Sequence, residues 1–455
     1  MKKRITLIVA ALTLLGSTGA HAQEVQQFSL QQSIDYALQN RASLQADRNN
    51  EKSAKARVGE IRAMGLPQID AIVDVGDNFI QQQSFLPGEF LNDPDDPNSP
   101  QPGTFVPITF TPAYTSNATI TGSQLLFDGS YLIGLKAAKT YTELSRKTTI
   151  QSEIEVADQV SKAYYGVLVN RERMELLNQN LVRLDTLLKQ TRIMFDNGVA
   201  EQLDVDRLRV SFNNLKVEQQ KAERLMLLSE NLLKFQMGLP QKQTIVLTDK
   251  LSDVEVETAT TTSENFNYSN RIEYSLLETQ QSLAQLDLRN IRSGYLPKLY
   301  LNARYGYNAA SNSFSDITTT SSYLEYGYVG AQLRIPIFDG LRKHYQIQQS
   351  KVTVENTKYG FETLRQSIDL ELKQASTELT NSLDVLKAQQ ENLALAQDIA
   401  RVAKIKFQEG VGSNLEVITA ETDLRQAQTN YYAAVYDALI AKVNLEKAKG
   451  TLISK

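Results

Sequence analysis

Cysteine and tryptophan are absent from the 455 residues, and only two histidines occur, His21 and His344. Without cysteine there is no disulfide framework, no thiolate metal site, no cysteine nucleophile, and no lipid-anchor site of the lipoprotein type. Two histidines argue against a histidine-built zinc or catalytic centre. Hydrophobic residues make up 42% of the chain and no later apolar run reaches the length of a membrane-spanning helix, which excludes a polytopic helical membrane protein. A β-barrel is not excluded, because only alternate residues of its strands face lipid. Proline is scarce as well: seven of the eleven lie between Pro87 and Pro112, and none separates Ala113 from Leu239 or follows Pro336.

The chain opens with Met1-Lys2-Lys3-Arg4, an apolar run from Ile5 to Leu15, and Ala20-His21-Ala22. This is the pattern of a cleaved signal peptide, with the mature chain starting at Gln23. Loss of the three basic residues of the leader moves the formal charge from −4 to −7. A mildly acidic exported chain argues against nucleic acid as a partner.

The two proline-free stretches are rich in Leu, Ala, Gln, Glu and Lys, all good helix formers. Leu177, Leu181, Leu184, Leu188, Thr191 and Phe195 step by four and three. Leu383, Leu386, Gln390, Leu393, Gln397, Ala400, Lys404 and Phe407 do the same, which predicts coiled-coil seams. One helix from Asp128 to Asp196 would extend roughly 100 Å.

The sequence is also an internal duplication. Phe195-Asp196-Asn197-Gly198-Val199 aligns with Phe407-Gln408-Glu409-Gly410-Val411, and Leu203-Asp204-Val205 with Leu415-Glu416-Val417, at an offset of 212. Phe127-Asp128-Gly129 matches Phe338-Asp339-Gly340 at an offset of 211. Asn40-Arg41 and Leu66-Pro67 match Asn270-Arg271 and Leu296-Pro297 at an offset of 230. The expected division is a signal peptide 1–22, a first repeat 23–238, a linking segment 239–264 and a second repeat 265–455. Each repeat reads helix, strand, loop, strand, long helix, turn, helix. Period-two alternation places strands at about 67–80, 113–127, 297–309 and 323–337, with turns near 198 and 410. Four strands cannot close a barrel, so strands in lipid would require several chains to share one.

These residues resemble the outer-membrane efflux protein family, the TolC-like outer membrane factors. The likeness rests on Ile335-Pro336-Ile337-Phe338-Asp339-Gly340 before Leu341-Arg342-Lys343, on Phe28-Ser29-Leu30 with Ala37-Leu38, on the Gly-Val turns, and on their duplicated order. The resemblance implies a mixed, mainly α fold: long coiled-coil helices form an α-helical barrel, and four strands per chain join a 12-stranded transmembrane β-barrel in a homotrimer. It implies an outer-membrane exit duct for efflux or type I secretion, without catalytic residues, cofactor or metal. The implied partners are a periplasmic adaptor, an inner-membrane pump of RND or ABC type, and outer-membrane lipid. A coiled-coil scaffold or adhesin with a soluble sheet is the alternative of a different class.

Asp128, Gly129, Asp339 and Gly340 have a local reading: the aspartates cap helix starts and the glycines ease the change from strand to helix. Asn197, Gly198, Val199 and Leu203, with Glu409, Gly410, Val411 and Leu415, are by resemblance the tips that dock the adaptor. Asp204 and Glu416 would place six carboxylates at the periplasmic constriction of a trimer. Phe407 and Gly412 stand where the family often has a locking tyrosine and arginine, and Thr419 where it has a second acid. Tyr305, Tyr307, Tyr323, Tyr326 and Tyr328 are candidates for interfacial aromatic belts. The Asp- and Pro-rich stretch 86–112 would be an extracellular, mobile loop.

Overall fold

The computed structural model describes residues 26–251, 266–319 and 323–453. The expected signal peptide and the latter part of the linking segment lie outside these residues. The chain divides into two compact units: residues up to 51, 144–278 and 359–455 form one, and residues 52–143 and 279–358 form the other. Both are assembled from pieces of each sequence repeat.

The elements of the first repeat are β1 (Gln26–Phe28), α1 (Leu30–Asn40), α2 (Ala42–Ala63), β2 (Gln68–Asp77), β3 (Gln83–Pro87), β4 (Phe105–Thr109), β5 (Tyr114–Phe127), α3 (Gly129–Asp196) and α4 (Gln202–Met237). After β6 (Ile245–Leu247), the second supplies α5 (Ile272–Ser293), β7 (Lys298–Ser311), β8 (Leu324–Arg334), α6 (Arg342–Gln408) and α7 (Asn414–Lys449). Long helices dominate because no proline interrupts them: α3 runs for 68 residues and α6 for 67. Among the described residues no helix is long and apolar enough to cross a membrane.

In the helical unit, the ends of α3 and α6 pack with α4 and α7 around Leu177, Leu184, Leu208, Ala400, Phe407, Val417 and Leu424. The seam of α6 keeps Ala400 and Phe407 of the expected heptad but runs through Ala396 and Ala403 in place of its polar positions. Ala396, Ala400, Ala403 and Phe407 are buried, whereas Gln390 and Gln397 are exposed. Alanines allow close approach of the neighbouring helices, and the glutamines stay in water. A second core joins α1 to α3: Ser29 caps α1 through a capping box with Gln32, burying Ile34 and Ala37 against Val160, Tyr164 and Leu168. Short β1 and β6 pair in parallel beside it.

The repeats meet their own turns in the same way. The chain leaves helical geometry at Arg41 (φ −64°, ψ 124°) and Arg271 (φ −91°, ψ 127°). Gly238 and Gly450, at the ends of α4 and α7, have φ of 77° and 73°. A Cβ on Gly238 would lie 3.1 Å from the Arg41 Cα, and one on Gly450 2.6 Å from the Asn270 carbonyl oxygen. Both the left-handed backbone and the close approach therefore require glycine.

The other unit holds an antiparallel sheet of order β2-β5-β7-β8. Cross-strand pairs share a face, so the register sorts the residues. One face carries Ile69, Val73, Val75, Ile120, Leu301, Tyr305, Tyr307, Val329 and Leu333. The other carries Asp70, Asp74, Asn117, Thr119, Thr121, Asn302, Arg304, Gln332 and Arg334. The apolar face is uncovered in a single chain: Val73 is 73% exposed and Val329 76%. The tyrosines divide: Tyr305 and Tyr307 belong to the apolar face, while Tyr326 and Tyr328 lie on the polar face, where the Tyr326 hydroxyl bonds Asn117 Oδ1 at 2.9 Å. The segment 86–112, expected as an extracellular, mobile loop, carries the end of β3 and all of β4, a hairpin closed by the Gly88 N–H on the Thr104 carbonyl at 2.7 Å. The consecutive apolar residues Phe105, Val106, Pro107 and Ile108, alternately exposed and half-buried, make it a strand despite the prolines, which sit on a two-stranded edge.

Candidate functional site: the helical hairpin tips and the open sheet

The two strand-to-helix junctions are built differently. Asp128 Oδ1 accepts the Ser130 N–H at 2.8 Å and Oδ2 meets Lys298 Nζ at 2.7 Å. Gly129 is not left-handed; a Cβ there would stand 2.8 Å from Leu296 Cδ1 and 3.1 Å from Ser293 Cβ, so close packing is its reason. At the second junction Gly340 (φ 69°) and Leu341 (φ 66°) are both left-handed, and α6 starts later. Asp339 Oδ2 then reaches forward to the Lys343 N–H at 3.2 Å and to its Nζ at 3.0 Å.

Each tip turns through a glycine. Gly198 (φ 76°) lets the Val199 N–H return to the Met194 carbonyl at 2.8 Å. Gly410 (φ 73°) lets the Val411 N–H return to the Lys406 carbonyl at 3.0 Å. This closure satisfies carbonyls left free at the helix end. Asn197 Nδ2 adds a bond to the Ile193 carbonyl at 2.8 Å. Next to Glu409 and Gly410, Gly412 also returns its N–H to Lys406, and a Cβ on it would stand 2.8 Å from Lys406 Cβ.

Apolar residues crown both tips without cover: Val199 is 71% exposed, Leu203 51%, Val411 79% and Leu415 53%. Two residues beyond each leucine, Val205 and Val417 are buried, so the leucines lie off the packed seam. The tips are tied to each other by Asn414 Nδ2, which donates to the Asp204 carbonyl at 3.1 Å.

Asp204 and Glu416 both occupy the third position of their helices, where a carboxylate faces free N–H groups. Asp204 Oδ2 accepts the Glu201 N–H at 3.4 Å, and its Oδ1 lies 4.0 Å from Arg207. Position 419 is the repeat counterpart of Arg207 but is threonine, its hydroxyl bonded to the Leu415 carbonyl. Glu416 takes its cation from another helix: Lys406 Nζ is 3.3 Å away. An open groove of about 650 Å³ between α6 and α7 contains this pair, with Asp398, Val402, Leu415 and Asp423 among its walls. Phe407, placed by the resemblance at the constriction, is instead buried in the core among Leu208, Val417 and Ala403.

Sequence reading missed Lys406, and it missed a polar layer inside the helical core. Asn180 Nδ2 donates to Gln428 Oε1 at 2.8 Å with both residues buried, and Arg183 beside them reaches Glu421 at 3.4 Å. The available signal was a polar residue at a position flanked by seam leucines. Among the described residues no group of three metal-binding side chains occurs.

Long proline-free helices, exposed apolar tips and a sheet whose apolar face has no cover among the described residues fit the class of outer-membrane ducts. The family model described as outer membrane efflux protein matches residues 33–239 and 268–451, and the chain belongs to that family. It is 22% identical to the outer membrane protein TolC of Vibrio cholerae over 340 residues, 74% of this chain and 77% of that one. It is 22% identical over 353 residues to the probable efflux pump outer membrane protein TtgC of Pseudomonas putida, covering 75% of this chain and 69% of that one. Its fold is similar to that of the outer membrane protein VceC of Vibrio cholerae, with a TM-score of 0.67, 15% identity, and 92% and 96% of the two chains covered.

Proposed function

We propose that this chain is the exit duct of a tripartite efflux or type I secretion system, three copies closing a 12-stranded barrel through the outer membrane. One observation carries the reading: a four-stranded sheet with one apolar and one polar face, both edges unpaired among the described residues of a single chain. In lipid an unpaired edge leaves backbone groups unsatisfied at several kcal/mol each, so the edges must be joined by further strands. The apolar face then meets lipid, and Asp70, Asp74, Asn302, Arg304 and Arg334 line a wet lumen. The long helices supply the periplasmic tunnel. Residues 1–22 act as the leader, and the division into repeats 23–238 and 265–455 reflects duplication. No step requires catalysis: cargo delivered by the inner-membrane pump passes by conduction.

The tips, with Val199, Leu203, Val411 and Leu415 exposed, support the adaptor-docking role. Asp204 and Glu416 support a constriction whose charge is partly offset by Arg207 and Lys406. Light scattering of the detergent-extracted protein, after separation of the inner and outer membranes, tests the assembly. A trimer in the outer-membrane fraction is expected, and a monomer or soluble species would overturn the shared barrel. In planar bilayers Asp204→Ala with Glu416→Ala should raise conductance and weaken cation preference. Unchanged conductance and selectivity would remove the constriction from these residues.

A further inference from the structure

The duplication carries strand register from one hairpin to the other. Adding 230 to a residue of β2 gives its counterpart in β7, and adding 211 to one of β5 gives its counterpart in β8. Applied to the first hairpin, the pairs Gln68↔Ser123, Ile69↔Gly122 and Asp77↔Tyr114 become Lys298↔Arg334, Leu299↔Leu333 and Tyr307↔Glu325. Those are the pairs observed in the second hairpin. The offsets come from motifs that flank the strands, so agreement inside them is an independent observation.

The remaining contact, β5 with β7, joins one repeat to the next. Its counterpart joins β8 to a β2, and within one chain those strands are the two edges of the sheet. Only a second copy can supply it. We propose that β8 of one protomer pairs antiparallel with β2 of the next, in the register that places Leu333 opposite Val73 of the partner subunit. This rests on the shared-barrel reading and specifies its seam.

Three observations favour the register. First, Ala118↔Tyr307, Ile120↔Tyr305 and Gly122↔Ala303 transform into Val329↔Asp77, Ala331↔Val75 and Leu333↔Val73, and Thr121↔Arg304 into Gln332↔Asp74. Apolar meets apolar on the apolar face, apart from Asp77 at the strand end; on the opposite face Gln332 meets Asp74, while Ser123↔Asn302 becomes Arg334↔Ile72, an arginine beside an isoleucine. A slip by one residue would set Asp74 beside Leu333 and mix the faces. Second, Phe127 lies opposite Leu299 after a bulge, which places Phe338 opposite Ile69. In a single chain Phe338 is 81% exposed and Ile69 72%, and the register covers each with the other. Third, the bulge falls at Ile337, the counterpart of Leu126 and next to Pro336, and prolines in sheets concentrate at bulges.

The seam lacks one ion pair that its internal counterpart has. Asp128 pairs with Lys298 inside the chain, but Asp339 meets Gln68 of the partner subunit and uses its own Lys343.

Because the chain has no cysteine, the register can be read by cross-linking. Directly opposed residues fall within the Cα separation a disulfide needs, and residues two positions off do not. Full-length Val73→Cys/Leu333→Cys, oxidised in outer membranes, should give covalent dimers and trimers on non-reducing gels. Each single variant, and the same-face controls Val73→Cys/Ala331→Cys and Val73→Cys/Ile335→Cys, should cross-link at least tenfold less. Preferential linking of a control pair would overturn the register and leave the shared barrel standing. A trimer by light scattering in which no pair links would also overturn it. A monomer would remove both.

Discussion

Arg271 Nη2 donates to Glu371 Oε2 at 2.8 Å, and one repeat earlier Arg41 Nη2 donates to Gln159 Oε1 across the same 2.8 Å. The offsets of the duplication relate both partners. The first repeat has a neutral acceptor and the second a carboxylate, with Glu273 at 3.0 Å and the Ala448 carbonyl completing the second set. Arg271→Ala should therefore cost about 3 kcal/mol, the low end for breaking a buried pair because Glu371 is half exposed. Arg41→Ala should cost about 1.5 kcal/mol, the loss of one hydrogen bond from a charged donor. Helical circular-dichroism unfolding of the extracted protein checks the order; equal losses would contradict it.

Acid should weaken the helical unit. The hydrogen bond from Lys447 holds the Glu155 carboxyl below its usual range, against burial, which pulls it up. At Glu273 burial also pulls upward, and the Arg271 pair more than offsets it, so the net shift is down. Both folded values lie below the ordinary 4.5 of an unfolded glutamate. Their stabilisation is complete above that value and is lost as pH falls through the folded ones. Melting temperature should hold steady down to about pH 5 and drop below about pH 4, less steeply in Glu155→Gln.

Glu446 should behave in the opposite sense. Burial raises its pKa, so its contribution is present at low pH and is lost as pH rises through the raised value. Lys442 and Lys449 oppose that shift without cancelling it, so Glu446→Gln should raise the melting temperature at neutral pH, and an unchanged or lower value would show that the lysines outweigh the burial.

Lys406 should set the charge at the second tip. If Glu416 faces the constriction, Lys406→Gln frees its carboxylate and should increase cation preference in bilayers, while Arg207→Gln does the same for Asp204 at the first tip. A shift toward anions in either variant would show that these cations do not neutralise the constriction.

The exposed leucines of the tips carry a separate prediction. Leu203→Ser with Leu415→Ser should leave stability within about 0.5 kcal/mol, as surface changes do. The same variant should reduce co-purification of the adaptor severalfold, and undiminished co-purification would move the docking surface elsewhere.

At the seam, Gln68→Lys should restore the ion pair that Asp128 and Lys298 make inside the chain. The trimer should then dissociate at a higher temperature on seminative gels, with the gain lost in Gln68→Lys/Asp339→Asn.

Several features were already determined by residue order. Two proline-free stretches of strong helix formers dictate two very long helices, because nothing in them interrupts the backbone ladder. Asn197-Gly198-Val199 and Glu409-Gly410-Val411 dictate reversals, since a left-handed residue closes a helix and glycine takes it without strain. Alternation in Ile69, Ala71, Val73 and Val75 dictates a strand with one apolar face. Tertiary structure decided what depends on neighbours distant in sequence. The α6 seam passes through Ala396 and Ala403 rather than Gln397 and Lys404 because burial there favours small apolar side chains over polar ones, a choice the 3/4 stepping alone does not make. Phe407, a seam position in the sequence, packs among Leu208 and Val417 because α4 and α7 are the helices that face it. Glu416 found Lys406 because the chain reversal at the second tip sets the two helices side by side, whereas Asp204 and Arg207 are three residues apart on one helix and their pair is local. Gly129 is needed for the closeness of Ser293 and Leu296, 164 and 167 positions away in the chain. Local backbone chemistry is written in adjacent residues, whereas packing partners and charge pairs between helices exist only once separate segments meet.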